Sequence, residues 1–284
     1  MEVAQKTYIC CYWKTYNMKE VIIRFLSGVL YVSIVYITLF ASREWFIGFL
    51  FILALFTINE FLRLVALKGY LAYIILALVF YFISYKVINP TAINVLLAAS
   101  ILVNLFLLRE VLILNKLSLF KRRRYFCIIF YIICGFVFLS LIPFIGNEFK
   151  PKILIGIFIL VWSNDTFAYI IGKRFGKIKL MEHISPKKTV EGFIGGITGA
   201  LIAGFIIFKF TSIYNLYIWL ILAILVSILG TTGDLIQSKF KRKAGVKDSG
   251  RFMPGHGGLY DRLDSIIYAS PFVYAFLTLI DYVS

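Results

Sequence analysis

Three aspartates in the last fifth of the chain carry its densest chemical signal. Asp234 stands in Gly233-Asp234-Leu235-Ile236-Gln237-Ser238, at the end of a long apolar run, and Asp261 and Asp264 stand at i, i+3 where the next run begins. If the first run continues as a helix, Ser238 lies one turn from Asp234 on the same face, and Asp261 and Asp264 share a face of the following helix. Carboxylates and a hydroxyl from two elements are hard oxygen donors, the kind that Mg²⁺ takes together with water and substrate phosphates. The spacing therefore predicts Asp234, Asp261, Asp264 and Ser238 as metal ligands. A single aspartate at a helix start needs no metal, since negative charge there is worth about 0.3–1 kcal/mol. Three carboxylates beside a basic, glycine-rich loop ask for more.

That loop, Lys239 to Ser265, holds seven basic residues and a Gly-His-Gly-Gly turn at 255–258. Gly257 and Gly258 would let backbone N–H groups approach an anion, and Lys241, Arg242, Lys247, Arg251 and Arg262 would neutralise one, so a triphosphate suits it. His256 within the turn is a candidate substrate contact. A second polar cluster lies upstream: Asn164-Asp165 inside an apolar run, then Ser185-Pro186-Lys187-Lys188-Thr189. An ionised carboxylate in a membrane span costs about 2.5–3.5 kcal/mol on the insertion scale, so Asp165 is expected to be functional or paired. Gly192, Gly195, Gly196 and Gly199 form small-xxx-small patterns that close helix packing explains without chemistry.

The elements that must position these groups are membrane helices. Of 284 residues, 61% are hydrophobic and 15% charged, with a mean hydropathy of +0.90. Soluble domains run about 45–50% apolar and about 25% charged, and barrel strands alternate where these runs do not, so both are excluded. About 20 residues span a bilayer, and nine runs qualify: roughly 25–42, 45–65, 69–85, 91–108, 125–145, 153–172, 192–208, 214–236 and 264–282. Glu60 and Arg63 fall near one end of the second run. The expected fold is an all-α polytopic bundle of about nine transmembrane helices. It forms one domain over 1–284, with N-terminal helices at about 25–145 and a catalytic half at about 153–284.

Basic residues divide 24 to 5 between the two sides of this bundle, with Arg109 at a span end. Short cytoplasmic loops carry the Lys/Arg excess, so the chain should run N-in, C-out, with the connections 173–191 and 237–263 in the cytosol. The net charge of +16 then reads as orientation and phosphate contacts, and no nucleic-acid partner is expected. Cys10, Cys11, Cys127 and Cys134 show no metal-ligand spacing and are expected as reduced packing thiols. The first 24 residues read as a cytosolic tail and not a signal peptide.

The motif Ser238-x-Phe240-Lys241-Arg242-x4-Lys247-Asp248-x-Gly250-x3-Pro254-x-His256-Gly257-Gly258-Leu259-x-Asp261-Arg262-Leu263-Asp264 resembles the signature of the phosphatidate cytidylyltransferases, the CDP-diacylglycerol synthases. Asp165-Thr-x-Ala168-Tyr169-x2-Gly172 and Ser185-Pro-Lys-Lys-Thr-x-Glu191-Gly192 are similar to further family elements, so the likeness covers roughly 153–284 by motif. Gln237 stands where the family usually has Glu, Met253 replaces Ile or Leu, and Val190 replaces a common Trp.

The resemblance implies transfer of CMP from CTP to phosphatidic acid, giving CDP-diacylglycerol and pyrophosphate. It implies catalytic roles for Asp234, Asp261, Asp264, Lys247 and Asp248. Substrate contacts would come from Asp165, Ser185, Lys187, Lys188, Lys241, Arg242, His256, Gly257, Gly258 and Arg262. It further implies Mg²⁺, a second, monovalent cation, membrane lipids as surroundings, and a homodimer. In a bacterium the protein would sit in the cell inner or plasma membrane with its site facing the cytosol. Two other enzymes were weighed on sequence: a CDP-alcohol phosphotransferase, which needs an Asp-Gly dipeptide that this chain lacks, and a CTP-dependent lipid kinase, which would release CDP. A transporter would place charge through several spans, whereas only Glu60, Arg63 and Asp165 lie within them.

Overall fold

The computed structural model describes residues 18–87, 89–113, 121–146, 148–211, 213–250 and 257–283. Cys10, Cys11, Arg251, Met253, Pro254, Gly255 and His256 lie outside the described residues. All nine apolar runs are helical. They are α1 (Met18–Ala41), α2 (Arg43–Leu64), α3 (Leu71–Val79) continued by a π-helical stretch to Tyr85, and α4 (Pro90–Leu108) continued likewise to Ile113. Next come α5 (Lys121–Phe126) and α6 (Cys134–Leu141), joined by π-helical Cys127–Ile133 into one span, then α7 (Pro151–Phe175), α8 (Val190–Thr211), α9 (Leu216–Lys243) and α10 (Tyr260–Val283). Seven of these spans are long and apolar enough to cross a membrane, and the apolar stretches Leu26–Ala41 and Leu71–Tyr85 are shorter.

Helix starts follow local chemistry. Ser42 accepts from the Trp45 N–H and Asn89 from the Thr91 N–H, while Pro90 and Pro151 occupy first helical positions, where a missing N–H costs nothing. Outward-facing side chains such as Leu30, Trp45, Leu102 and Phe210 are large, apolar and exposed, which suits lipid as the solvent.

Two departures from the expected elements bear on the site. The connection 173–191 is not loop alone: Lys179–Met181 (β1) and Ser185–Thr189 (β2) form an antiparallel hairpin. It is fastened to the start of α8, where Glu191 accepts from the Ile178 N–H and Thr189 caps the Gly192 N–H. The connection 237–263 is shorter than predicted, because α9 runs on to Lys243 and α10 begins at Tyr260. Three basic residues in the last turn of α9 favour that extension.

The glycines of α8 do pack closely. A Cβ on Gly192 would meet the Ala168 carbonyl, one on Gly196 would meet Asn164, and one on Gly199 would meet Phe167, all on α7. This brings α7 and α8 together along their length and sets Asp165 beside the hairpin. Cys127 and Cys134 are buried and unbridged.

Among the described residues, the end of the second span, the start of the fifth and the start of α10 meet at one end of the bundle. Arg124, before the fifth span, donates to the Ala66 carbonyl after the second, and Glu60 reaches the start of α10. At the opposite end Arg43 donates to the carbonyls of Ser84 and Tyr85 and lies 4.4 Å from the centre of the Phe144 ring.

Candidate active site

A cavity of about 680 Å³ opens between α7, the hairpin, α8 and α9. Its walls carry Asp165 from α7, Ser185, Lys187 and Lys188 from β2, and Asp234 from α9, so five of the expected site residues meet there. Lys188 Nζ lies 2.5 Å from Asp234 Oδ2, and the Ser238 hydroxyl donates to Asp234 Oδ1 over 3.2 Å. The one-turn spacing of Asp234 and Ser238 thus does what the helical reading expected. Asn164 donates its amide to Asp165 Oδ1 at 3.2 Å. The walls combine these polar groups with Ala168, Tyr169 and Phe193. Asp264 is buried; its Oδ1 accepts from the Ser265 N–H at 2.7 Å, and the charges of Asp234 and Asp165 both reach it.

Asp261 is held differently. Its Oδ1 accepts from Gln237 Nε2 at 2.9 Å and Lys241 Nζ at 2.8 Å, and its Oδ2 from the Ser249 and Gly258 N–H groups at 2.9 and 3.0 Å. Four donors, two of them backbone groups from either flank of the loop, make this carboxylate the pin of the signature segment. Lys241 is therefore a partner of Asp261 and half of a largely buried pair. Gly258, expected to offer its N–H to substrate, offers it to Asp261, and a Cβ there would collide with Ser249 and Glu60. Gly257 has φ +89°, a left-handed conformation that glycine adopts without strain. Arg242, Lys247 and Asp248 are exposed around the same loop. Arg262 is also exposed, and its charge reaches Asp165.

Among the described residues, no three His, Cys, Asp or Glu side chains are gathered closely enough to hold a metal ion. The expected trio is divided: Asp261 is turned to its four donors, Asp234 lines the cavity, and Asp264 is buried with its carboxylate on the Ser265 N–H. The donor chemistry still suits a hard cation, because Asp234, Ser238 and Asp264 offer oxygen only, and ammonium groups sit on both Asp234 and Asp261.

The sequence marks Glu60 as a charge within an apolar run but gives it no role in the site. Glu60, on α2, accepts from the Ser249 hydroxyl at 2.7 Å, the Leu259 N–H at 3.0 Å and the Tyr260 N–H at 2.9 Å. The signal was available, since a carboxylate inside an apolar run is the feature that singled out Asp165.

Residues 22–280 match the family model described as the cytidylyltransferase family. The chain belongs to that family. It is 53% identical over 116 residues to the phosphatidate cytidylyltransferase of Staphylococcus haemolyticus, covering 40% of this chain and 44% of that one. To the protein of the same name from Staphylococcus saprophyticus it is 40% identical over 183 residues, 63% of this chain and 68% of that one. The match to the Staphylococcus aureus protein is 48% over 116 residues and again spans 44% of the relative, so the chain spans less than half the length of two of these three relatives.

Proposed function

We propose that this family member transfers CMP from CTP to phosphatidic acid, releasing pyrophosphate and forming CDP-diacylglycerol for phospholipid synthesis. The observation that carries this reading is the cavity itself: lysines and carboxylates from four elements converge at one end of a bundle whose outer face suits lipid. A charged nucleotide and a membrane lipid can meet there.

An oxygen of the phosphatidate phosphate forms the new bond to the α-phosphorus of CTP, and the bond to pyrophosphate breaks. The attacking phosphate is already anionic near neutral pH, so the chain's task is positioning and charge neutralisation. Lys187 and Lys188 meet the phosphatidate headgroup or the departing pyrophosphate. Arg242, Lys247 and Arg262 neutralise the triphosphate, with Asp248 beside Lys247, and Lys241 and Asp261 hold the two helix ends around them. Mg²⁺ held by Asp234, Asp264 and Ser238 would supply charge neutralisation at the phosphates. The second, monovalent cation and the homodimer rest on the family resemblance alone. The reading includes nine membrane crossings, N-in and C-out, with the cavity in the cytosol, supported by the 24 to 5 division of basic residues.

Purified protein with α-labelled CTP and phosphatidate tests the reaction. Label should pass to the organic phase as a lipid-linked nucleotide, with one pyrophosphate per turnover. Release of CDP and labelling of lipid only from γ-labelled CTP would instead identify a lipid kinase.

A further inference from the structure

Glu60 stands far in sequence from the loop it touches, and it is only 7% exposed. Its three donors come from both flanks of that loop: Ser249 on one side, Leu259 and Tyr260 on the other. Leu259 and Tyr260 open α10, so the carboxylate supplies from a distant helix the N-terminal cap that the local sequence lacks. Two loop glycines are shaped around it, since a Cβ on Gly250 or Gly258 would collide with the Glu60 side chain. The neighbouring Phe61 fixes the approach, packing edge-on against Tyr131, Phe240 and Tyr260 with ring centres 5.0–6.2 Å apart. The Tyr131 and Tyr260 hydroxyls are hydrogen-bonded at 2.8 Å. The same Ser249 and Gly258 whose side chain or surroundings belong to Glu60 give their N–H groups to Asp261.

We infer that Glu60 is a positioning residue for nucleotide binding: it ties Ser249 to Leu259 and Tyr260 and thereby places Lys247 and Arg262, which flank these residues, for the triphosphate. The inference rests on the proposed use of CTP. A buried carboxylate with three donors holds its partners more tightly than a neutral side chain could, because hydrogen bonds to charged groups are the strong ones. Replacing it by glutamine keeps the shape but turns an N–H₂ group toward a donor, so at least one of the three contacts is lost.

The test uses the full chain in detergent or lipid discs, comparing wild type with Glu60→Gln and Ser249→Ala. CTP affinity is read by calorimetry, kinetics by varying each substrate in turn, and the hold on the start of α10 by amide exchange over 257–260. Glu60→Gln should weaken CTP binding by at least about tenfold, equivalent to about 1.4 kcal/mol, leave the KM for phosphatidate unchanged and speed exchange at Leu259 and Tyr260. Ser249→Ala, which leaves both backbone donors in place, should give the same pattern with smaller amplitude. It decides the matter if Glu60→Gln does not fold. Faster exchange with unchanged CTP affinity, a uniform fall in kcat with both KM values unchanged, or unaltered exchange would each overturn the inference. A wild type that binds CTP but forms no lipid-linked nucleotide would refute the proposed reaction, and Glu60 would still be judged on CTP affinity. A wild type that binds no CTP would overturn both.

Discussion

Asp234 lies four residues before the signature that contains Asp261, and the surroundings of the two aspartates differ. Asp234 lines an open cavity and pairs with Lys188, and both side chains remain about a third exposed. Asp261 is enclosed, with two donors on each oxygen and a largely buried lysine. An exposed pair can be traded for substrate or metal at little expense, since such pairs contribute about 0–1 kcal/mol. A buried, fully hydrogen-bonded carboxylate cannot, because removing its charge strands several partners at once. On the proposed function, binding falls to Asp234 and architecture to Asp261.

The sharpest way to break that contrast is to neutralise each in turn. Asp261→Asn should cost about 3–5 kcal/mol of stability, the range for breaking a buried pair, with activity lost alongside. A thermal midpoint in detergent close to wild type would show that the four donors are not structural. Asp234→Asn should leave the midpoint within about 1 kcal/mol of wild type while lowering kcat/KM by at least about a hundredfold, or about 2.7 kcal/mol of transition-state stabilisation. Comparable losses of stability in the two variants would erase the distinction.

Smaller effects sharpen it further. Gln237 is fully buried and gives its amide to Asp261, and its own Oε1 finds no hydrogen-bond partner among the described residues. Gln237→Glu would set two carboxylates against each other, so we expect a loss of about 1–3 kcal/mol, the cost of an unsatisfied buried group. Added Mg²⁺ should recover part of it, read from midpoints with and without the ion. Least affected should be the exposed pair Arg242 and Lys247. Replacing both by Gln should lower kcat/KM for CTP by about tenfold or less, with the loss shrinking as salt rises, because exposed charges are screened over about 10 Å at 0.1 M. A salt-independent loss would move them into the enclosed group.

Orientation can be checked separately. Cysteine labelling from outside intact cells should reach a probe at Ser284 and miss one at the exposed Val246. Labelling at Val246 would invert the bundle.

Much of this molecule is written in the order of its residues. Continuous apolar runs can satisfy their backbone only as helices in lipid, so all nine run positions were readable one by one. The glycines of α8 announced close packing, and the helical period alone placed Ser238 beside Asp234. The signature residues were readable as a set. Their individual roles were not. Periodicity puts Asp261 and Asp264 on one helix face but says nothing of what approaches that face. Only the packing of α9, α10 and the loop decides that Asp261 is filled by Lys241, Gln237 and two N–H groups, while Asp234 opens to a cavity. The hairpin that brings Lys188 to Asp234 and the reach of Glu60 across 200 positions to Tyr260 are long-range pairings. Such contacts depend on which helices neighbour one another, and no local pattern of residues encodes that.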